Sequence, residues 1–161
     1  MTSDQLRDAR AACEQAFSFL VSDFGYRKIR SRFQWGGFEL GYRGRGIGVL
    51  VEWYPRDPLT VWLVKLEDGN FPPRDQVLRA DTPLHYFDLG DMEIIETGHR
   101  VVAERQLYGL PTEGTAGLLA SSLRQYASEL LRGDLSVIPQ LERRIRDRVA
   151  AAKADRRIHP R

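Results

Sequence analysis

The fold is decided by residues 28–54, which read KIRSRFQWGGFELGYRGRGIGVLVEWY. Apolar and polar side chains alternate through three segments of this stretch, and a period of two is typical of strands with one buried face. Gly36-Gly37 predicts a two-residue hairpin turn, and the Arg-Gly-Arg-Gly tract at 43–46 predicts a second turn. Residues 59–66 are rich in branched and aromatic side chains and predict a fourth strand. The stretch therefore predicts a meander of antiparallel strands.

Helical periodicity flanks this predicted meander on both sides. Before it, apolar residues recur at helical spacing over residues 3–26. After it, the same spacing predicts helices over residues 112–133 and 136–154. Between the fourth strand and these helices the periods are weak, and short helices are expected around residues 83–89 and 92–96.

Together these patterns predict an α+β fold in two layers. A four-stranded antiparallel meander has one face covered by the N-terminal helix and the two C-terminal helices. Residues 1–155 are expected to form a single domain and residues 156–161 a flexible basic tail. The side chains expected on the covered face are Phe33, Trp35, Leu40, Tyr42, Val49, Val51 and Trp53.

The composition is that of a globular protein, with 42% hydrophobic and 29% charged residues and a net charge of +2 over 161 residues. The single Cys13 excludes an internal disulfide and a multi-cysteine zinc site, and its position on an apolar helix face predicts a buried thiol. No segment has the length and apolar character of a membrane span, and residues 1–10 are polar. We therefore expect a cytoplasmic protein of bacterial type that does not enter a membrane.

Charge is segregated along the chain although the total is small. Residues 26–45 carry six cations against Glu39 alone, and residues 141–161 carry eight cations against three carboxylates. Strict alternation places the first strand's cations on the uncovered face, where Glu39 and Glu52 offset part of the charge. The candidate partner-binding residues are Lys28, Arg30, Arg32, Arg43, Arg45, Arg143, Arg144, Arg146 and Arg148. The alternative is that the strand's charges protect an edge of the sheet from aggregation.

Carboxylates and histidines gather in a second candidate set, which is suited to binding a metal or to supplying an acid and a base. Its members are His85, Asp88, Asp91, Glu93, Glu96 and His99. No HExxH motif or comparable ligand spacing joins them. We therefore predict no cofactor, no metal and no catalytic residues, with this set as the alternative.

Four segments carry a resemblance to known proteins: FSFLVSDFGY (17–26), GVLVEWY (48–54), FDL (87–89) and LLRGD (130–134). In these segments the chain resembles a group of small uncharacterised bacterial α+β proteins, some of them immunity proteins of polymorphic toxin systems. The resemblance spans most of the chain. It implies a non-catalytic binding protein without a cofactor.

Three functions follow from the sequence. The first is a cytosolic protein-binding module of the immunity type, which neutralises a partner by binding an acidic surface on it. The second is a nucleic-acid-associated protein that uses the basic sheet face, since exposed cations contact phosphates. The third is an enzyme that uses the segment from His85 to His99. We favour the first because no credible active site is visible.

Overall fold

The computed structural model describes residues 2–74 and 82–158, with side chains through Ala154. The strands are β1 (Arg27–Gln34), β2 (Gly37–Arg43), β3 (Ile47–Trp53), β4 (Thr60–Lys65) and β5 (Tyr86–Asp88). The helices are α1 (Ser3–Ala16), α2 (Phe19–Ser22), α3 (Leu89–Thr97), α4 (Glu113–Tyr126), α5 (Ser128–Leu131) and α6 (Ile138–Ile158). A short 3₁₀ turn spans Glu104–Gln106.

In the described part of the chain the strands form one antiparallel sheet in the order β1-β2-β3-β4-β5. The α+β class and the antiparallel meander are confirmed, but this sheet has five strands and not four. The additional strand, β5, replaces the helix expected over residues 83–89 and pairs Phe87 with Leu63. Three residues are too few for a periodic signal, so only this pairing identifies the strand.

The hairpin that joins β1 and β2 turns one residue earlier than predicted. Trp35 and Gly36 occupy the turn with φ of 50° and 75°, and Gly37 is already the first residue of β2. A Cβ atom on Gly37 would lie 2.0 Å from the carbonyl oxygen of Trp53, so this glycine allows two strands to approach closely. Consequently the prediction that Trp35 lies on the covered face is wrong, and its side chain is 84% exposed.

The other predictions for the covered face depend on where each strand lies in the sheet. The side chains from β2 and β3 are buried, as predicted, and they are Leu40, Tyr42, Val49, Val51 and Trp53. Phe33 pairs with Phe38 and shares its face, but it is 44% exposed because β1 is an edge strand. The guanidinium carbon of Arg10 in α1 lies 4.5 Å from the centre of the Phe33 ring.

Two of the predicted helices are interrupted. The helix expected over residues 3–26 ends at Ala16, and α2 and the positive φ of Gly25 (69°) lead the chain into β1. The helix expected over residues 112–133 is divided into α4 and α5 at Ala127. The more extensive contacts of helices with strands are made by α1, α2 and α3, whereas α4 packs against α1 and α3 and α6 packs against α3, so the layering differs from the prediction. This helix runs to Ile158, and the rest of the predicted basic tail lies outside the described residues.

Cys13 is fully buried in α1, as predicted. Burial, with a smaller contribution from the carboxylate of Glu14, raises the pKa of the thiol to about 12. Because the thiolate is the reactive form, we expect Cys13 to react slowly with a disulfide reagent in the native protein and fast in denaturant. The measurement is the labelling rate with and without guanidinium chloride. Equal rates under both conditions would contradict this expectation.

Candidate partner-binding site

The predicted basic face of the sheet is neutralised at its centre. Arg32, Glu39 and Glu52 lie in one row across β1, β2 and β3. Glu39 is only 6% exposed and accepts hydrogen bonds from Nε of Arg32 at 2.9 Å and from the hydroxyl of Tyr54 at 2.7 Å. Arg30 approaches the same carboxylate at 3.4 Å. These two arginines therefore compensate a buried carboxylate, and burial together with donation to Glu39 raises the pKa of Tyr54 to about 12.

Lys28 does not share a face with Arg30, in contrast to the prediction from strict alternation. A register shift between these two residues inserts one extra residue into β1, so Lys28 pairs with the buried Tyr42 and turns towards the helices. Its Nζ lies 2.8 Å from Oε1 of Glu14 in α1. Burial alone would raise the pKa of Glu14, but hydrogen bonds from Lys28 and Ser31 together with the charges of Lys28 and Arg10 hold it below its ordinary value.

The face that was expected to be uncovered is crossed by the segment after β4. The ring of Phe71 packs against Gly48 so closely that a Cβ there would lie 2.6 Å from it. Arg74 lies over the rings of Trp62 and Tyr86, at 4.9 and 5.0 Å from their centres, and pairs with Glu52 at 3.0 Å. This covering segment, residues 71–74, removes much of the sheet face from solvent.

The predicted cluster of cations on α6 is largely engaged within the protein. Arg144 and Arg148 each lie 2.9 Å from Oδ1 of Asp91, which is 1% exposed. Arg146 donates a hydrogen bond to the carbonyl oxygen of Thr82 at 3.0 Å, whereas Arg143 is exposed. Most of this cluster therefore holds α6 in place against the rest of the fold.

Glu93, a member of the second candidate set, holds α3 against the loop that follows it. Its carboxyl group is 1% exposed and accepts hydrogen bonds from the backbone amides of Val101 at 2.8 Å and Val102 at 3.2 Å. The hydroxyl of Ser122 in α4 donates to its other oxygen. The Glu93 side chain thus joins α3, the loop at Val101 and Val102, and α4.

The remaining members of that set are dispersed. Nε2 of His85 lies 3.2 Å from Glu67, and Asp88 caps α3 by accepting a hydrogen bond from the amide of Gly90 at 2.6 Å. Glu96 and His99 are exposed. Among the described residues, no three His, Cys, Asp or Glu side chains are grouped so that they could hold a metal ion.

An open cleft of about 570 Å³ lies at the end of the sheet where β1 begins and the β2–β3 turn is located. Four arginines line it, and we call it the arginine cleft: Arg27, Arg43, Arg45 and Arg132. Arg27 and Arg43 are cross-strand partners, directly opposite each other in the register of β1 and β2. Arg45 follows on the turn, and Arg132 comes from the end of α5.

Two glycines, Gly44 and Gly133, and the ring of Tyr26 allow close packing around the cleft. A Cβ atom on Gly44 would lie 2.2 Å from the ring of Tyr26, so the turn packs directly on that ring. The hydroxyl of Tyr26 donates to the carbonyl oxygen of Leu131 at 3.2 Å and thereby ties the turn to α5. A Cβ on Gly133 would meet the carbonyl oxygen of Arg45 at 3.5 Å. The backbone of the β2–β3 turn and of the end of α5 therefore packs closely around the cleft.

The cleft carries uncompensated positive charge. Within the described residues, no ion pair includes Arg27, Arg43 or Arg45. Arg132 pairs with Glu129 at 2.7 Å, and the one carboxylate in the lining, Asp23, pairs with Arg124. An anionic group is thus the natural complement of this site.

Comparison with known proteins gives no match for this chain among family models, curated proteins or solved structures. Among the described residues, no helix has both the length and the apolar character needed to cross a membrane. Functional inference therefore rests on the geometry of the chain itself.

The sequence identified half of the arginine cleft. Arg43 and Arg45 were candidates because they belong to the basic segment at residues 26–45, but Arg27 and Arg132 were missed. Regular counting back from the turn would place Lys28 opposite Arg43, and only the register shift in β1 brings Arg27 there, so the sequence carried no signal for Arg27. Nothing local marks Arg132, which reaches the cleft only through the packing of α5.

Proposed function

We propose that the protein is a non-catalytic binding module that recognises an acidic surface of a partner protein through the arginine cleft. The observation that carries the proposal is the direct cross-strand pairing of Arg27 with Arg43, which no carboxylate of the described residues compensates. Like charges directly opposite in a sheet are destabilising, and a carboxylate bound between them removes that repulsion. Guanidinium groups also bind carboxylates in a bidentate manner.

The ion pairs made by the other candidate cations favour a protein partner over nucleic acid. Five of the nine candidate cations are paired with carboxylates within the protein: Lys28, Arg30, Arg32, Arg144 and Arg148. Nucleic-acid binding draws its affinity from many phosphate contacts along a strand. The arginine cleft alone offers a compact set of cations, which suits a local group of carboxylates.

A module of this kind acts by covering the surface through which its partner acts. That is the role of an immunity-type protein in the cytosol, and it requires a complementary surface but no catalytic group. The buried carboxyl groups of Asp91 and Glu93 support this view, because Asp91 pairs with arginines of α6 and Glu93 accepts hydrogen bonds from the backbone that follows α3.

The test replaces two cleft arginines and measures binding of a defined acidic probe. We expect a fluorescein-labelled octaglutamate peptide to bind the protein at low ionic strength, and Arg43→Gln/Arg45→Gln to weaken binding about tenfold. The difference should shrink as salt is added, because salt screens exposed charges. Thermal stability should not fall, since the Arg27–Arg43 repulsion is relieved.

The matched control is Arg105→Gln/Arg143→Gln, which makes the same charge change at two exposed arginines outside the cleft. An equal loss of affinity in this control would show diffuse charge attraction and would refute the cleft. Tighter binding of an oligothymidylate of equal charge, lost in the cleft variant, would favour nucleic acid as the partner instead.

A further inference from the structure

Strand β1 forms an outer edge of the sheet, and within the described residues its backbone pairs only with β2. Its side chains are exposed or half-buried along the whole strand. Three large apolar side chains that are exposed to solvent lie within residues 29–35: Ile29, Phe33 and Trp35. An edge strand with exposed apolar side chains is a template for pairing with another chain.

The turn fixes which backbone groups of β1 point outward. Trp35 and Gly36 both have positive φ, as in a two-residue type I′ turn, so Gln34 and Gly37 form the first hydrogen-bonded pair. Hydrogen-bonded pairs alternate with non-hydrogen-bonded pairs in an antiparallel ladder. The N–H and C=O groups of Ser31 and Phe33 therefore point to the free edge.

Three of the four cations of β1 do not serve as free charges that protect this edge. Lys28 pairs with Glu14, and Arg30 and Arg32 pair with Glu39. Edge protection depends on charges that repel an incoming strand. Here the charges are turned towards the protein's own carboxylates, and the outward backbone groups remain accessible.

Charge decides between a second copy of this chain and a different partner. An antiparallel self-pairing centred on Ser31 places Arg30 opposite Arg32, and one that matches Ser31 with Phe33 places Arg32 opposite itself. Both arrangements put like charges in direct cross-strand contact, which is destabilising. Arg30 and Arg32 share the single carboxylate of Glu39, and Arg27 has no ion-pair partner among the described residues, so this face of β1 keeps a net positive charge. A strand with acidic residues at alternate positions is therefore the complementary occupant.

We infer that β1 accepts an extended acidic segment of a partner protein, which adds to the sheet as a further strand. This inference rests on the proposed function in that it assumes a protein partner, and it specifies which part of that partner is bound. Main-chain hydrogen bonds supply affinity in this mode of recognition, and side chains on alternate positions supply specificity. Because Arg27 is both the first residue of β1 and part of the arginine cleft, the added strand leads directly to the cleft.

The test uses a labelled eight-residue peptide that alternates glutamate and valine, with full-length protein. Ser31→Pro removes the outward N–H group, and proline is tolerated on an edge strand where that group does not pair within the sheet. Ser31→Ala is the matched control, because both variants lose the hydrogen bond from Ser31 to Glu14. We expect the proline variant to bind about tenfold more weakly than the alanine variant, as for the loss of one or two backbone hydrogen bonds.

A second measurement does not depend on the folding of a variant. In the wild-type protein, the amide protons of Ser31 and Phe33 should exchange quickly and become protected when the peptide is added. The same peptide N-methylated at each valine keeps its charge but should give no protection. Unchanged exchange at both amides, or equal protection by the methylated peptide, would refute strand addition.

Different outcomes refute the cleft proposal and the strand-addition proposal. If the cleft variant loses octaglutamate binding while the Ser31→Pro and Ser31→Ala proteins bind the alternating peptide equally, strand addition is wrong and the cleft remains. If Ser31→Pro loses binding while Arg43→Gln/Arg45→Gln behaves as its control, the cleft is wrong and strand addition remains.

Discussion

Glu93→Ala is expected to lower the free energy of unfolding by about 3 kcal/mol or more, because it leaves two backbone amides without an acceptor and opens a cavity. The amides are those of Val101 and Val102, which donate to one carboxyl oxygen, while the hydroxyl of Ser122 donates to the other. Urea denaturation followed by circular dichroism measures the change.

Two matched variants isolate the cause of this loss. Glu96→Ala removes an exposed glutamate three residues further along the same helix and should change stability by no more than about 0.5 kcal/mol. Glu93→Gln retains a carbonyl oxygen for both amides and should cost less than the alanine variant. If Glu93→Ala is as stable as Glu96→Ala, Glu93 does not hold α3 to the following loop.

Gly37→Ala is the second change with a large expected effect, also about 3 kcal/mol, because overpacking against rigid backbone forces a shift. The added Cβ would lie 2.0 Å from the carbonyl oxygen of Trp53 and 2.9 Å from Cα of Tyr54. Neither atom is the end of a flexible side chain. The measurement is again the midpoint of urea unfolding.

The control for this change is Gly117→Ala in α4, where nothing lies within 4 Å of the new Cβ. Alanine in a helix interior is favoured over glycine, so this variant should gain roughly 0.5–1 kcal/mol. If Gly37→Ala also gains stability, the close approach of β2 to Trp53 and Tyr54 does not require a glycine at this position.

The strands from β1 to β4 could be predicted because their signal is local. Alternation with a period of two marks β1, β2 and β3, and branched and aromatic content marks β4. The burial of Tyr42, Val51 and Trp53 follows from the alternation. Strand β5 could not be predicted, because its three residues gain their conformation from pairing with β4.

The failures on β1 have separate physical causes. Trp35 is exposed because Gly37 is needed where two strands approach closely, and this moves the turn back by one residue. Lys28 changes face because a bulge adds a residue, and the sequence carries no local mark of it.

By itself the sequence determined the α+β class, the antiparallel meander, the buried thiol and the segregation of charge, because each depends on neighbours within a few residues. Only the tertiary structure decided which charges are available. Arg30 and Arg32 are compensated because Glu39 lies opposite them, whereas Arg27, Arg43 and Arg45 are not compensated by any described residue. The physical reason is that ion pairing depends on which side chains the fold brings within a few ångströms, and residues distant in sequence meet only after the chain has folded.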